Sequence, residues 1–401
     1  MDTEFRPLPD DEAGDELFAD YVQYAFAPDR GPEVDLDDDR PDPPRIRRGL
    51  YPADGDEPLT LCSSYPFETR LRGATLPMGG VSTVATPPEH RRKGYVGEML
   101  RELCREYRDT GTPLSALWPF KHPFYAQFGW ATTSRYLAWS CEPSALRSAA
   151  ATGGTWERVD PDAWADLDAV HRAATEDRPL SLDRSEAWWR ERQLRGWDSD
   201  PYVYLWRDDD GEPRAYVAYR IEGDWGDRTF EARANHAAAD REAFRHLLGF
   251  LADHDSQVGT VRFRTAVDCP LHDMVADPAE LDCELNPGPM ARLVDVPATL
   301  DALDYPTDSS LALGLVDPLL DEVTGTYDLA VAGGRATVER TAADPDGADA
   351  TLGIGPFSQL VVGYRSAADL AVGGELDADD GTVAQLDALF PATTPYLQEG
   401  F

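Results

Sequence analysis

Runs of alternating apolar and polar residues are broken, at regular intervals, by stretches with helical spacing. Phe5 to Leu8 alternates as a short strand. Asp10 and Asp11 stand where a helix N-cap belongs, ahead of an amphipathic stretch. Strands are expected over 59–65, 68–76 and 78–86, the last rich in β-branched residues. Between 94 and 110, Met99, Leu103 and Tyr107 recur every fourth position and predict one buried helical stripe. A strand over 112–118 and a short helix over 124–128, stopped by Gly129, follow. Strands alternating with helices predict an α/β or α+β domain over residues 1–148.

Residues 149–287 repeat this order faintly. A helix over 164–175 precedes strands over 202–206 and 214–221, which flank the turn 208–212. A strand over 229–233 and a helix over 241–254 come next, joined by Ala-Asn-His-Ala-Ala-Ala-Asp, read as a turn. From 288 to 401 the pattern changes. Strands are expected over 290–296, 311–316, 325–331 and 335–340, with Gly333-Gly334 turning a hairpin, and helices over 354–364 and 382–390. This is a separate α+β domain.

Composition narrows the function. With 401 residues the chain exceeds one ordinary core. Its net charge is −37, from 74 acidic and 37 basic residues, and its only lysines are Lys93 and Lys121. Such an acid excess with so little lysine is read as a halophile's hydrated surface, because molar salt screens the self-repulsion. A polyanion needs a basic face and none stands out, so nucleic-acid binding is disfavoured. No apolar run approaches the ~18 residues of a membrane span, and the first residues lack a signal pattern, so a cytoplasmic protein is expected. Five scattered cysteines fit a reducing compartment. The seven histidines show no ligand spacing, so no metal site is expected. His236, His246 and His254 are read as sharing one helical region, as surface or packing residues. The acidic runs Asp37-Asp38-Asp39 and Asp208-Asp209-Asp210 are read as solvated loops, and 29–44 as a loop over the active-site side.

The chemistry concentrates in 81–130. The strand ending at Val84, Ala85 and Thr86 leads through Pro87-Pro88 into the basic turn His90-Arg91-Arg92-Lys93-Gly94, and then into the helix. Unpaired N–H groups and the dipole at such a helix start bind phosphate. The spacing Arg91-x-x-Gly94-x-Val96 alone fits an ordinary basic helix start equally well. It resembles the pyrophosphate loop of GNAT acyltransferases, with Val96 where that family carries Gly or Ala, and Gly97 one place late.

The whole chain resembles the Eis (enhanced intracellular survival) family of N-acetyltransferases: two GNAT-like domains and a sterol-carrier-protein-2-like domain. The carriers are Phe5-Arg6-Pro7-Leu8, 84–97, Phe124-Tyr125-Ala126-Gln127-Phe128-Gly129-Trp130, Met290-Ala291-Arg292-Leu293-Val294-Asp295 and the end Tyr396-Leu397-Gln398-Glu399-Gly400-Phe401. The resemblance implies acetyl-CoA as cosubstrate. The backbone of Val84, Ala85 and Thr86 would pair with the pantetheine amides. Arg91, Arg92, Lys93, Gly94, Tyr95, Val96 and Gly97 would surround the pyrophosphate, and Phe120 and Lys121 would line the cofactor. It implies Tyr125 as general acid and the α-carboxylate of Phe401 as general base. From spacing alone, Tyr125 reads better as a ring packed on Phe128, and Phe401 as a frayed tail. The second GNAT-like domain has no Arg-x-x-Gly and is expected not to bind CoA. The acceptor implied is a primary amine of an aminoglycoside, polyamine or lysine, and the assembly implied is a homo-oligomer, a hexamer. Two other readings stand beside this one: an acetyl-CoA sensor without turnover, and a carrier of an apolar ligand in the C-terminal domain.

Overall fold

The computed structural model describes all residues except Met1, Asp35, 37–40, 197–198 and 342–343. The first stretch supplies strands β1 (Thr3–Pro7), β2 (Ile46–Pro52), β3 (Thr60–Leu71), β4 (Ala74–Ala85), β5 (Leu114–Leu117) and β6 (Ala131–Thr132). Its helices are α1 (Glu12–Phe26), α2 (Tyr95–Asp109) and α3 (His122–Ala126). The Asp11 carboxylate accepts from the Gly14 N–H and caps α1. Two departures from the sequence reading have local causes. Alternation runs unbroken across the hairpin at Arg72 (φ 44°) and Gly73 (φ 80°), so the strands expected over 59–65, 68–76 and 78–86 are two long ones. Arg45, Arg47 and Arg48 mask β2, which the pattern does not reveal.

The second stretch carries β7 (Arg135–Cys141), β8 (Thr155–Arg158), β9 (Leu182–Asp183), β10 (Tyr202–Arg207), β11 (Pro213–Glu222), β12 (Thr229–Arg233), β13 (His236–Ala238), β14 (Thr260–Ala266) and β15 (Leu281–Pro287). Helices α4 (Trp164–Thr175), α5 (Glu186–Trp188, continued as a π-turn over Trp189–Gln193), α6 (Arg241–Ala252) and α7 (Leu271–Met274) pack beside them. The segment read as a turn before α6 contains β13, which pairs with β11. His236 is therefore a buried strand residue, not part of a helix with His246. The third stretch adds β16 (Met290–Leu293), β17 (Ser309–Val316), β18 (Gly325–Ala332), β19 (Arg335–Thr341), β20 (Ala350–Gly353) and β21 (Leu376–Ala378). Its helices are α8 (Val296–Ala302), α9 (Ile354–Val362), α10 (Ala367–Val372) and α11 (Asp380–Leu389). Gly333 and Gly334, both left-handed, close the β18–β19 hairpin.

The described residues form three sheets that exchange strands across the stretches. The first runs β1-β2-β3-β4-β5-β16-β6 with β9 beside β3, so β16 from the third stretch and β9 from the second complete it. The second runs β15-β7-β14-β12-β11-β10-β8, with β13 beside β11. The third, β19-β18-β17-β20-β21, is covered by α9, and its interior is filled by Leu313, Leu315, Leu329, Phe357, Leu360 and Phe390. Arg72 and Arg292 are among the arginines that tie the third stretch to the first. Arg72 donates to the carbonyls of Leu360 and Val361 at the end of α9. Arg292 on β16 pairs with Asp317 where both side chains are fully buried, and also donates to the Phe128 carbonyl (2.5 Å). No helix among the described residues is long and apolar enough to cross a membrane. All five cysteines are free thiols.

Candidate active site

The site grows from a split in the first sheet. Strand β4 pairs with β5 in parallel only over Met78–Val81 against Leu114–Leu117. Beyond Val81 the register of β4 against β3 shifts, and Thr83 takes a positive φ of 54°. The bulged end of β4, with Val84 and Ala85, leaves β5, and Thr86 follows it. Among the described residues no strand pairs with this edge on the β5 side, so an extended ligand can add there as a strand. Thr60 Oγ1 bonds both the Ala85 carbonyl (3.0 Å) and Thr86 Oγ1 (2.8 Å), fixing the edge from behind.

The chain then turns through two left-handed residues, Arg92 (φ 60°) and Gly94 (φ 86°). Gly94 is the N-cap of α2 and offers no side chain, so the first N–H groups of the helix, at Tyr95, Val96 and Gly97, lack an internal acceptor. Such a helix start can cradle an anion. Arg92 and Lys93 stand exposed beside it, with no carboxylate partner among the described residues in a chain of twice as many acids as bases. Arg91 behaves differently. It donates to the Thr86 carbonyl (2.9 Å) and lies 5.3 Å from the centre of the Tyr24 ring, so it braces the loop. Val96 turns partly into the core, while a Cβ on Gly97 would meet Phe128 at 2.8 Å. Close packing on Phe128 thus accounts for the glycine one place late. The equivalent helix of the second stretch is closed to anions: the Asp240 carboxylate itself accepts the Ala243 N–H at the start of α6.

Past β5 the chain reaches Phe120, 74% exposed, whose ring leans on Phe124 (5.2 Å) and Tyr125 (5.7 Å). Lys121 is exposed and its carbonyl accepts the Phe124 N–H at the start of α3. Tyr125 is buried, and burial, then the neighbouring Cys62, pushes its hydroxyl up to about 12. That hydroxyl has no hydrogen-bond partner among the described residues, although its backbone carbonyl accepts from Phe128 and Trp130. The exposed apolar Phe120, the free β4 edge and the uncapped α2 start fit a long phosphorylated thioester.

The end of the chain enters the same split. Trp118, one residue past β5, donates from Nε1 to the Glu399 carbonyl (2.6 Å), and Arg192 donates to the Gly400 carbonyl (2.7 Å). The Phe401 ring meets Phe67 edge-on at 4.9 Å and Tyr65 at 6.1 Å, and both of those rings touch Trp188. Gly80 on β4 makes room for it: a Cβ there would lie 2.3 Å from Phe67 and 3.0 Å from Phe401. The tail is therefore packed, not frayed. Of the acidic loop, Asp42 reaches the Glu191 carboxylate through its N–H (3.5 Å), while Asp37-Asp38-Asp39 lie outside the described residues. Sequence reasoning missed Trp118, Arg184, Arg192 and Trp188. The local signal available was an arginine and tryptophan enrichment in 184–197.

Residues 4–133 match an acetyltransferase (GNAT) domain family, and residues 180–293 match a second acetyltransferase (GNAT) domain family. Residues 296–398 match a sterol carrier protein domain. An uncharacterized N-acetyltransferase of Streptomyces avermitilis is 26% identical over 408 residues, covering 97% of this chain and 96% of its own. N-acetyltransferase Eis of Mycobacterium tuberculosis is 27% identical over 370 residues, 87% of each chain. A solved structure from Enterococcus faecalis V583, described as a probable N-acyltransferase, shares the fold over 100% of both chains, with a TM-score of 0.87 at 22% identity.

Proposed function

We propose that this chain, a GNAT acetyltransferase with the domain layout of Eis, moves an acetyl group from acetyl-CoA to a primary amine, using Tyr125 and the α-carboxylate of Phe401. The reading is carried by the course of the chain end, held by Trp118 where β4 and β5 part, with the Phe401 ring set between Phe67 and Gly80. Acetyl-CoA supplies an activated thioester. The residues of the chain do the rest. The edge at Val84 to Thr86, the α2 start at Gly94 to Gly97, Arg92, Lys93, Phe120 and Lys121 hold it, and Arg91 keeps the loop in shape. One proton must leave the amine and one must reach the departing sulfur. Tyr125, buried and protonated, donates a hydrogen bond to that sulfur, and the second proton that the nitrogen sheds as the C–S bond breaks and the amide forms ends on the sulfur, giving the free thiol. The Phe401 carboxylate accepts the ammonium proton. Arg192 donates to the Gly400 carbonyl, one residue away, and so fixes the backbone that carries the carboxylate.

The resemblance to Eis supports the acceptor class, a primary amine of an aminoglycoside, a polyamine or a lysine side chain, and a hexameric assembly; the acid excess supports the cytoplasm of a salt-accumulating cell. Thiol release from acetyl-CoA in molar KCl, with a panel of such amines, tests the reading. In Tyr125→Phe, and in a chain extended by a few residues past Phe401, kcat should fall by about 10²-fold while acetyl-CoA affinity stays unchanged. Full activity in the extended chain would remove Phe401 from the mechanism. Light scattering on the same sample reads the assembly.

A further inference from the structure

The second sheet splits as the first does. Strand β12 pairs with β14 in parallel over Thr229–Arg233, after which the chain leaves β14 and β13 pairs with β11 instead. In the first sheet such a gap faces a phosphate cradle. Here it faces a capped helix, and the protein's own tail enters it. The Gln398 side-chain amide donates to the carbonyls of Ala234 and His236 (2.8 Å to the latter), on the freed edge of the strand. Tyr396 is buried and lines the same opening, an accessible volume of about 280 Å³.

One residue further on, Glu399 Oε1 accepts from Arg184 Nε at 2.5 Å, with both side chains almost wholly buried. Arg184 also donates to the Tyr216 hydroxyl (2.9 Å), and its guanidinium lies 4.5 Å from the centre of the Trp189 ring. The other Glu399 oxygen is buried without a hydrogen-bond partner among the described residues. A half-satisfied buried ion pair is a poor way to gain stability, since apolar residues of the same volume would serve as well or better. What it does give is register: only one tail residue can meet that guanidinium.

We propose that Arg184 is a positioning residue: paired with Glu399, and with Gln398 seated in the split of the second sheet, it sets the register of the C-terminal tail and so delivers the chain end to the split of the first sheet. The second GNAT-like domain is thus a dock for the tail. For its effect on turnover the inference rests on the reading of Phe401 as proton acceptor; the seating does not.

The test uses the full chain and carboxypeptidase A, with released phenylalanine measured by amino-acid analysis. Arg184→Met removes the pair, and Glu399→Gln keeps the shape without the charge. Because cleavage follows the open population, release of Phe401 should be about tenfold faster or more in both variants than in wild type. Arg184→Lys should fall between. If Arg184→Met does not fold, Glu399→Gln carries the comparison. Calorimetric titration with acetyl-CoA should give unchanged affinity and stoichiometry, while kcat falls. That split separates displacement of the tail from a loss of folded enzyme. Equal release rates in wild type and both variants would overturn the inference. Wild-type enzyme trimmed of Phe401 provides the separate control. If trimming leaves kcat intact, the proton-acceptor reading fails, and the release rates still decide the seating.

Discussion

Tyr125 shows how burial decides chemistry at a single residue. Its folded-state value, about 12, lies above the ordinary value of 10, so the neutral phenol is the form the fold favours. Below about pH 10 the residue is protonated in folded and unfolded chains alike, and that preference persists until the pH passes about 12. A thiol titrates near ~8.5, so full transfer from a phenol at about 12 to a free thiolate is uphill by about 3.5 pH units, or roughly 5 kcal/mol. In the proposed mechanism Tyr125 therefore acts first as a hydrogen-bond donor to the sulfur as its charge develops. Its loss should lower kcat without changing the shape of the pH profile. We expect kcat of wild type and Tyr125→Phe to run parallel from about pH 6 to pH 10. Loss of an alkaline limb below pH 10 in the variant would mean that Tyr125 ionises in the working range. The left-handed start of α2 at Gly94 is legible in the sequence because it sits in a short local pattern, whereas Tyr125 takes its proposed role only from the family resemblance, its spacing alone reading as a ring packed on Phe128. Arg184 and Glu399 are not legible: they lie 215 positions apart, and no periodicity links an arginine to a glutamate in a tail.

Among the elements, strand-turn-helix 81–110 is the most legible, because a β-branched run, a left-handed glycine and a four-residue stripe all agree there. What the pattern conceals is exchange. β16 reads as the opening strand of the third domain, yet it pairs with β5 and β6 in the first sheet, since a short run that is apolar but for Arg292 does not say which sheet buries it. Its arginine explains why the exchange is fixed. Arg292 holds Asp317, which in turn accepts the N–H groups of Leu319 and Leu320, and it holds the Phe128 carbonyl behind Tyr125. Replacing Arg292 with Met leaves a buried carboxylate unpaired, at a cost of about 3–5 kcal/mol. Denaturant unfolding of Arg292→Met should show that loss. A change below about 1 kcal/mol would mean that Asp317 is satisfied by its backbone donors alone.

At the scale of the whole molecule, the net charge of −37 sets the conditions under which all these contacts hold. Two kinds of electrostatic interaction respond to salt in opposite directions. Ion pairs such as Arg147 with Asp255 (2.6 Å) and Arg190 with Glu186 (2.8 Å) work at distances comparable with the ~3 Å Debye length of 1 M salt, so screening takes little from them. The unmatched carboxylates repel across longer gaps. Two such charges ~10 Å apart cost about 0.4 kcal/mol unscreened in water, about 0.15 in 0.1 M salt and almost nothing in 1 M. Summed over a surface with twice as many acids as bases, that difference reaches a few kcal/mol, and the exposed pairs, worth about 0–1 kcal/mol each, do not offset it. Repulsion wins, so the fold should gain stability as KCl rises. A thermal scan should show Tm climbing by about 5 °C or more between 0.1 M and 1 M KCl and levelling beyond. Surface exclusion of salt predicts something else: sulfate outdoing chloride at equal ionic strength, with no plateau. A Tm indifferent to KCl would mean that the acidic surface is already neutralised by pairing, and would separate the charge of this chain from any adaptation to salt.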